Sequence, residues 1–315
     1  MKKMHFGWIA PVIGVAKTNY VPVVMLQEAE VLAVVAKHFD SLWVFDHLYA
    51  TASKPNLAAK GTGDTGLTPQ PSDPWLEAWT TLTWLAARYP TVQIGPLVLG
   101  VGYRNPALLA KMAATLQVLS GGRLVLGLGV GWREEEFGAY GYSFPNAQMR
   151  IQQVEEAVQI MRHMWTETAP SFQGEYFTIH EAYCSPLPMP PPPILIGGEG
   201  ERLMLPLMAR HADWWNVYVN TMEEVTPYLA TYQRKRDLLF RHAEARGRDP
   251  ASIVQTFSII TGRWPRSSDD STHWLELLRP LVNLGVTHVM LSGQGVSLEP
   301  ILRFAEEVMV PLQLA

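Results

Sequence analysis

The stretch that decides the fold is Arg123-Leu-Val-Leu-Gly-Leu-Gly-Val-Gly-Trp132, which runs into Arg133-Glu-Glu-Glu136. Its short apolar run predicts a buried strand, and the strand ends in glycines at positions 127, 129 and 131. Glycines there let the backbone come close to a flat or charged ligand, and parallel α/β proteins bind ligands at such ends. The glycines could equally serve a tight turn. Their G-x-G-x-G spacing differs from the G-x-G-x-x-G of dinucleotide-binding proteins.

Strand-like and helix-like patterns alternate on both sides of this stretch. We predict eight strand–helix pairs, with strands at residues 4–9, 42–45, 92–99, 123–132, 194–196, 214–218, 253–261 and 286–291. Eight pairs in 315 residues favour an α/β fold of the (β/α)8 TIM-barrel type, with a doubly wound sheet as the alternative. We expect a single domain over residues 1–315, with insertions after strands 2 and 4 and before strand 5.

Two of these insertions are long for loops of an α/β protein. Residues 48–74 are rich in Gly, Pro, Ser and Thr, and residues 170–193 contain a predicted hairpin at 172–179. The first could close over a site and exclude water.

Composition narrows the class of protein. The net charge of −4 provides no basic field for nucleic acid. Cys184 is the only cysteine, which excludes intrachain disulfides and cysteine-based zinc sites. No His-x-His pair is present, so we expect no metal site. The first residues lack the apolar stretch of a signal peptide, and no run of about 18 apolar residues predicts a membrane span. We therefore expect a cytoplasmic protein.

Active sites of such barrels lie at the carboxyl ends of the strands, and four stretches fall there. Asp46-His47 follows strand 2, and histidine is the side chain most easily poised for proton transfer near neutral pH. The alternative is a structural histidine that caps a turn. The second stretch is Gly100-Val-Gly-Tyr-Arg-Asn-Pro106, whose Arg104 could reach an anion or form a surface salt bridge.

The third stretch is Gly129-Val-Gly-Trp132, where Trp132 could form a wall against a planar ring. We interpret Glu134 and Glu136 as a solvated face or the start of a short helix. The fourth is Gly197-Gly-Glu-Gly200, whose backbone N–H groups at a helix start could hold a phosphate. It is not a P-loop, because no Gly-Lys-Ser/Thr follows.

Taken together, these stretches resemble the luciferase-like monooxygenase superfamily, the flavin and deazaflavin barrel oxidoreductases. The matching pieces occur in order from about residue 5 to 300. They are Leu42-Trp-Val-Phe-Asp-His47, Leu99–Pro106, Leu119–Trp132, Glu136–Pro145, Phe172-Gln-Gly-Glu-Tyr-Phe177, Pro190–Gly198 and Ala212-Asp-Trp-Trp-Asn216.

The resemblance implies a barrel that carries coenzyme F420 or, as the alternative, FMN across its strand ends. It assigns His47 to the reactive face of the ring and a cofactor contact to Asp46. It places a non-proline cis peptide at Leu97-Val98, behind the ring. The other cofactor-binding positions that it implies are Gly100, Gly129, Val130, Gly131, Gly197, Gly198 and Gly200, and the substrate pocket includes Trp8, Tyr103 and Trp132.

One departure from the family bears on the substrate. A well-studied member that acts on a sugar phosphate has a glutamate where Trp132 stands here. The missing acid argues against that substrate for this chain.

The favoured function is an F420-dependent oxidoreductase that moves a hydride between the deazaflavin and a small organic substrate, with His47 supplying or removing a proton. The alternative is an FMN-dependent monooxygenase that uses oxygen and a separate cofactor reductase. A flavin-binding protein without turnover is the third possibility. The resemblance also implies a homodimer.

Overall fold

The computed structural model describes residues 3–11, 29–50, 70–260, 263–293 and 296–314. Its strands, in chain order, are β1 His5–Ile9, β2 Ser41–Val44, β3 Gln93–Pro96, β4 Leu99–Gly100, β5 Leu126–Gly129, β6 Phe172–Gln173, β7 Thr178–Ile179, β8 Ile194–Gly197, β9 Trp214–Val219, β10 Val254–Ile259 and β11 His288–Ser292.

Nine of these strands form one sheet in the order β3-β2-β1-β11-β10-β9-β8-β5-β4. The paired strands are parallel, with Trp8 beside Leu42 and Leu128 beside Ile196. Since β3 and β4 are the two halves of one interrupted strand, the described residues supply the eight strands of the predicted (β/α)8 class. The fold class is confirmed.

The helices that follow the strands are α1 Ala29–His38, α2 Ala78–Arg88, α3 Pro106–Leu119, α4 Glu134–Ala139, α5 Ala147–Thr166, α6 Met204–His211, α7 Val225–Glu244, α8 Ser268–Asn283, α9 Leu298–Phe304 and α10 Val310–Leu314. A π-helical stretch, Ala305–Met309, joins the last two. Within the described ranges, none of these helices combines the length and apolarity needed to cross a bilayer.

Local capping explains where several helices begin. Asn105 accepts hydrogen bonds from the backbone N–H groups of Ala107 and Leu108, as its position before Pro106 predicts. The predicted start of the seventh helix is wrong by six residues. The apolar spacing predicts this helix over residues 274–284, but α8 begins at Ser268, because Ser267 and Asp270 form a capping box.

The insertions are only partly described. The hairpin β6–β7 is antiparallel, with Phe172 beside Ile179, as predicted. Residues 51–69 of the first insertion lie outside the described residues.

Contacts between Cα atoms divide the chain into two units. Unit 1 comprises residues 1–92, 216–237 and 254–315, and unit 2 comprises residues 93–215 and 238–253. The prediction of a single domain stays a prediction.

An aromatic cluster fills the core of unit 1. Trp8 lies 4.9 Å from Trp264, and Trp264 lies 5.1 Å from Phe304, measured between ring centroids. Phe39 and Trp274 complete the cluster. Large aromatic side chains dominate core energetics, so these tryptophans account for part of the chain's high tryptophan content as packing residues.

A histidine pair lies at the amino-terminal ends of β1 and β11. The rings of His5 and His288 stack at 4.7 Å, and His5 Nδ1 lies 3.1 Å from Asp40 Oδ1. Burial lowers the pKa of His288 to about 3, and the nearby charge of His5 acts in the same direction, against the opposing effect of Asp40. The fold therefore requires a neutral His288.

This cluster predicts a loss of stability in acid. The pKa of His288 is lowered on folding from 6.5 to about 3. The unfolded chain therefore binds a proton at this histidine more readily than the folded protein does, and the free energy of unfolding decreases as the pH falls from 6.5 toward 3. Down to pH 4.5 the loss is about 2–3 kcal/mol. We expect the unfolding midpoint of His288→Asn to fall less than that of wild type between pH 7.5 and 4.5. The exposed His180→Asn serves as control, and equal falls in both variants would contradict the prediction.

Candidate active site

The strand that leads to Gly100 is interrupted at its carboxyl end. β3 ends at Pro96, β4 begins at Leu99, and the Leu97–Val98 peptide bond between them is cis. The resemblance predicts a cis bond at this position, and the structure confirms it. Leu97 is buried and Val98 is half-buried, so Val98 is the more accessible residue of the interruption.

Glycines of β5 and β8 make room for Val98. A Cβ atom on Gly129 would lie 2.5 Å from Val98 Cγ2, and one on Gly197 would lie 3.3 and 3.4 Å from the two Val98 methyl carbons. A Cβ atom on Gly127 would lie 2.0 Å from the carbonyl oxygen of Pro96. We call Val98, Gly129 and Gly197 the Val98 shelf.

The contacts of Val98 and Pro96 explain two of the glycines in the G-x-G-x-G stretch. Glycine in a strand often marks a place where another backbone or a ligand approaches closely. At positions 127 and 129 the approaching group is the protein's own Pro96–Val98 link. The roles of Gly129 and Gly197 in cofactor binding stay predictions, and both glycines lie against the half-buried side chain of Val98.

The second glycine cluster leads into α6. Gly198 has φ +131°, a backbone conformation that favours glycine, and its carbonyl accepts a hydrogen bond from Trp215 Nε1. The carbonyl of Gly200 accepts from the N–H groups of Met204 and Leu205. Within the described residues no side chain caps this helix at Leu203.

The first turn of α6 has few backbone N–H groups left for an anion, because those of Met204 and Leu205 donate to Gly200 and Pro206 has none. The turn before the helix carries Glu199 and Glu201, whose charges oppose an anion. Any phosphate here would therefore rely on the backbone of the turn that precedes the helix, and the predicted phosphate site at Gly197, Gly198 and Gly200 stays a prediction.

The chain turns sharply after β5. Gly131 has φ +71°, and a Cβ atom there would lie 2.6 Å from Phe137 Cζ. The turn leaves Val130 half-buried and Trp132 42% exposed. The guanidinium carbon of Arg133 lies 5.0 Å from the centroid of the Trp132 ring. Trp132 is thus an exposed aromatic surface at a strand end, which suits the predicted wall.

Behind Trp132 lies a buried polar group that sequence reasoning missed. Glu136 is completely buried. It accepts a hydrogen bond of 2.9 Å from the hydroxyl of Tyr103, and Arg133 Nη1 lies 3.5 Å from its other oxygen. The interpretation of Glu136 as part of a solvated face is wrong, although Glu134 does begin the short helix α4. The Arg133–Glu136 spacing of three residues within a predicted helix start was the available signal.

Gly100 and Tyr103 lie on the neighbouring strand end. A Cβ atom on Gly100 would lie 3.0 Å from the Tyr103 ring, and that ring packs 4.3 Å from Phe137. Tyr103 is buried. Tyr103 therefore packs against both Gly100 and Phe137, and a direct contact of Gly100 or Tyr103 with a ligand stays a prediction.

The Asp46-His47 pair follows β2 in unit 1. Asp46 is buried and His47 is half-buried. The His47 ring lies 6.0 Å from Trp75 in an edge-to-face arrangement. Its place after the carboxyl end of a strand is as predicted, and its catalytic role stays a prediction, as does a cofactor contact of Asp46.

Trp8 has a packing role. It is fully buried against Phe39 and Trp264, and its indole N–H has no hydrogen-bond partner among the described residues. These packing contacts account for the position of Trp8, and its contact with a substrate stays a prediction.

The chain is similar to known proteins over most of its length. Residues 4–297 match a family model described as luciferase-like monooxygenase. The phthiodiolone/phenolphthiodiolone dimycocerosates ketoreductase of Mycobacterium bovis is 31% identical over 307 residues, which cover 94% of this chain and 75% of that protein. The F420-dependent glucose-6-phosphate dehydrogenase of Kineococcus radiotolerans is 34% identical over 162 residues, 51% of this chain and 43% of that protein.

Solved structures share the fold. An F420-dependent secondary alcohol dehydrogenase, solved with an F420–acetone adduct, has a TM-score of 0.73 at 19% identity, covering 99% of both chains. The long-chain alkane monooxygenase LadA has a TM-score of 0.72 at 13% identity, covering 100% of this chain and 92% of that one. At these identities the likeness concerns the fold alone.

Proposed function

The chain belongs to the luciferase-like monooxygenase family, and from that premise we propose that it is an F420-dependent oxidoreductase acting on the carbonyl group of an organic substrate. The observation that carries the proposal is the Val98 shelf, an apolar side chain held at a strand end by glycines of two further strands. A planar ring needs such a surface. The ketoreductase that aligns with 94% of this chain supports a carbonyl substrate, and the F420-dependent dehydrogenase that aligns with half of it supports the coenzyme.

The residues present fit the coenzyme in two ways. The Val98 shelf offers one apolar face to a flat ring, and the glycine turn at residues 197–200, where Gly198 has φ +131°, lets the backbone approach a phosphate closely. Bound and reduced, the coenzyme supplies a hydride to the carbonyl carbon.

The chain's own residues supply position and the proton. His47 is the proposed acid, whose imidazole N–H donates a proton to the carbonyl oxygen as the alcohol forms; in the reverse direction it accepts that proton. Trp132, exposed after β5, is the proposed wall for the apolar part of the substrate. A tryptophan there suits an apolar ketone better than a sugar phosphate.

The second candidate is an FMN-dependent monooxygenase, which the description of the family model favours. The two functions differ in what the reduced cofactor reacts with. A ketone is the acceptor in the first, and oxygen is the acceptor in the second.

The test is oxidation of reduced F420 without oxygen. We expect the protein to oxidise it when an aromatic ketone such as 4-phenyl-2-butanone is added, with formation of the alcohol in equal amount. Addition of air to reduced FMN and the protein, with the same ketone, should cause no protein-dependent product. Oxygen-dependent product from FMN, with no reaction of F420, would replace the proposal by the second candidate.

A further inference from the structure

We propose that Glu136 is a positioning residue for the substrate wall, which it holds by tying two neighbouring strand ends together. Its buried carboxylate joins Tyr103, which follows β4, to Arg133, which follows β5. The inference rests on the proposed function in one respect, that Trp132 faces the substrate.

The geometry links the carboxylate to Trp132 in two short steps. Glu136 pairs with Arg133, and the Arg133 guanidinium lies over the Trp132 ring at 5.0 Å. A guanidinium over an indole face is attracted by the ring quadrupole. Because Arg133 is buried while Trp132 is 42% exposed, the ring is anchored from its protected side.

The third member fixes the neighbouring strand end. Tyr103 donates its hydroxyl to the second oxygen of Glu136, and its ring packs on Phe137 at 4.3 Å. Phe137 in turn leaves room only for glycine at positions 102 and 131, where a Cβ atom would lie 2.6 Å from its ring. The two loops are therefore interlocked around one acid and one aromatic ring.

The burial of Glu136 requires that its carboxylate be paired. A carboxylate with no exposed surface is costly unless its oxygens are paired, and the two oxygens of Glu136 are paired with residues that follow two different strands. Removing the negative charge should free Arg133 and let Trp132 adopt several orientations. Removing the Tyr103 hydroxyl should have the same consequence in weaker form.

The experiment follows Trp132 directly. The protein is labelled with 5-fluorotryptophan, and the fluorine resonance absent from Trp132→Phe is assigned to Trp132 among the chain's 11 tryptophans. We expect Glu136→Gln to broaden or split this resonance and Tyr103→Phe to do so less strongly. Tyr103→Phe removes one hydroxyl and keeps the ring, so it carries the test if Glu136→Gln does not fold.

Glu156→Gln is the matched control. Glu156 accepts hydrogen bonds from the backbone N–H groups of residues 175–177 in the same unit, at the hairpin. This variant should lower the unfolding midpoint and leave the Trp132 resonance unchanged. An unchanged resonance in folded Glu136→Gln and in Tyr103→Phe would overturn the proposal.

Kinetics supply the second readout. We expect Glu136→Gln to raise the KM for 4-phenyl-2-butanone at least ~10-fold, the scale of one lost apolar contact, with kcat and F420 affinity within about threefold. The KM for acetone, which is too small to need the wall, should change less. Equal rises for both ketones would overturn the substrate-wall role. If no ketone is reduced by wild type, the proposed function fails, and the fluorine resonance still decides whether Glu136 positions Trp132.

Discussion

Replacing His47 with alanine should reduce turnover at least ~100-fold, the usual scale for a general acid or base, while the dissociation constant for F420 stays within about threefold. The reason is that the proton for the carbonyl oxygen is lost, whereas the proposed binding surfaces for the coenzyme, the Val98 shelf and the glycine turn at residues 197–200, remain intact. The measurement is steady-state oxidation of reduced F420 by ketone, together with a fluorescence titration of the coenzyme.

His180→Ala is the matched control for His47→Ala, since His180 is an exposed histidine in the hairpin insertion of unit 2. It should leave turnover at the wild-type level. Unchanged turnover in His47→Ala would exclude this residue from the mechanism and return the assignment to a structural histidine beside Trp75.

Replacing Gly129 with alanine should weaken F420 binding at least ~10-fold, because overpacking a tight site costs about 1–3 kcal/mol and each 1.4 kcal/mol is tenfold in affinity. The added methyl would lie 2.5 Å from Val98 Cγ2 and displace the shelf. Gly138→Ala is the matched control, because a Cβ atom at this helical glycine of the same unit would meet nothing within 4 Å.

A second substitution separates loss of the shelf from general damage. Val98→Ala removes the methyl carbons of the shelf and should itself weaken F420 binding. Adding Gly129→Ala to Val98→Ala should then cost less affinity than Gly129→Ala costs in the wild-type protein, because the new Cβ atom no longer meets a Val98 methyl carbon. Non-additivity of this kind is expected of residues in contact. Purely additive effects would show that Gly129 and Val98 act independently and that the shelf is not the binding surface.

The alternation of strands and helices predicted the fold correctly because each βα pair carries its own local signal. The strands around Leu42–Val44 and Leu126–Gly129 are apolar runs, and the start of α3 is marked by Asn105-Pro106. The start of α8 was missed because a capping box of Ser267 and Asp270 outweighs the polar residues that follow it. Boundaries depend on such caps, which hydrophobic periodicity does not detect.

The sequence predicted which strand ends contribute to the candidate site, but it predicted few of the contacts between their residues. The glycines at 127 and 129 are visible in the sequence, but their partner Val98 comes from a stretch some thirty residues earlier. Glu136 was misread because two exposed acids precede it, and its burial depends on Tyr103, 33 residues away. Contacts between distant segments leave no periodic signal. Trp8 was expected to line the pocket, but it packs in the core against Trp264. The sequence does not distinguish these two roles for an aromatic side chain near a strand end.

A fluorescence titration of the purified protein with F420 and, separately, with FMN tests whether the strand ends of this chain bind a deazaflavin. We expect saturable 1:1 binding of F420, at least ~10-fold tighter than FMN, which corresponds to about 1.4 kcal/mol. Gly129→Ala should weaken this binding, and Gly138→Ala should leave it unchanged. Tighter binding of FMN, or the absence of saturable binding of F420, would contradict the proposal that this chain binds a deazaflavin.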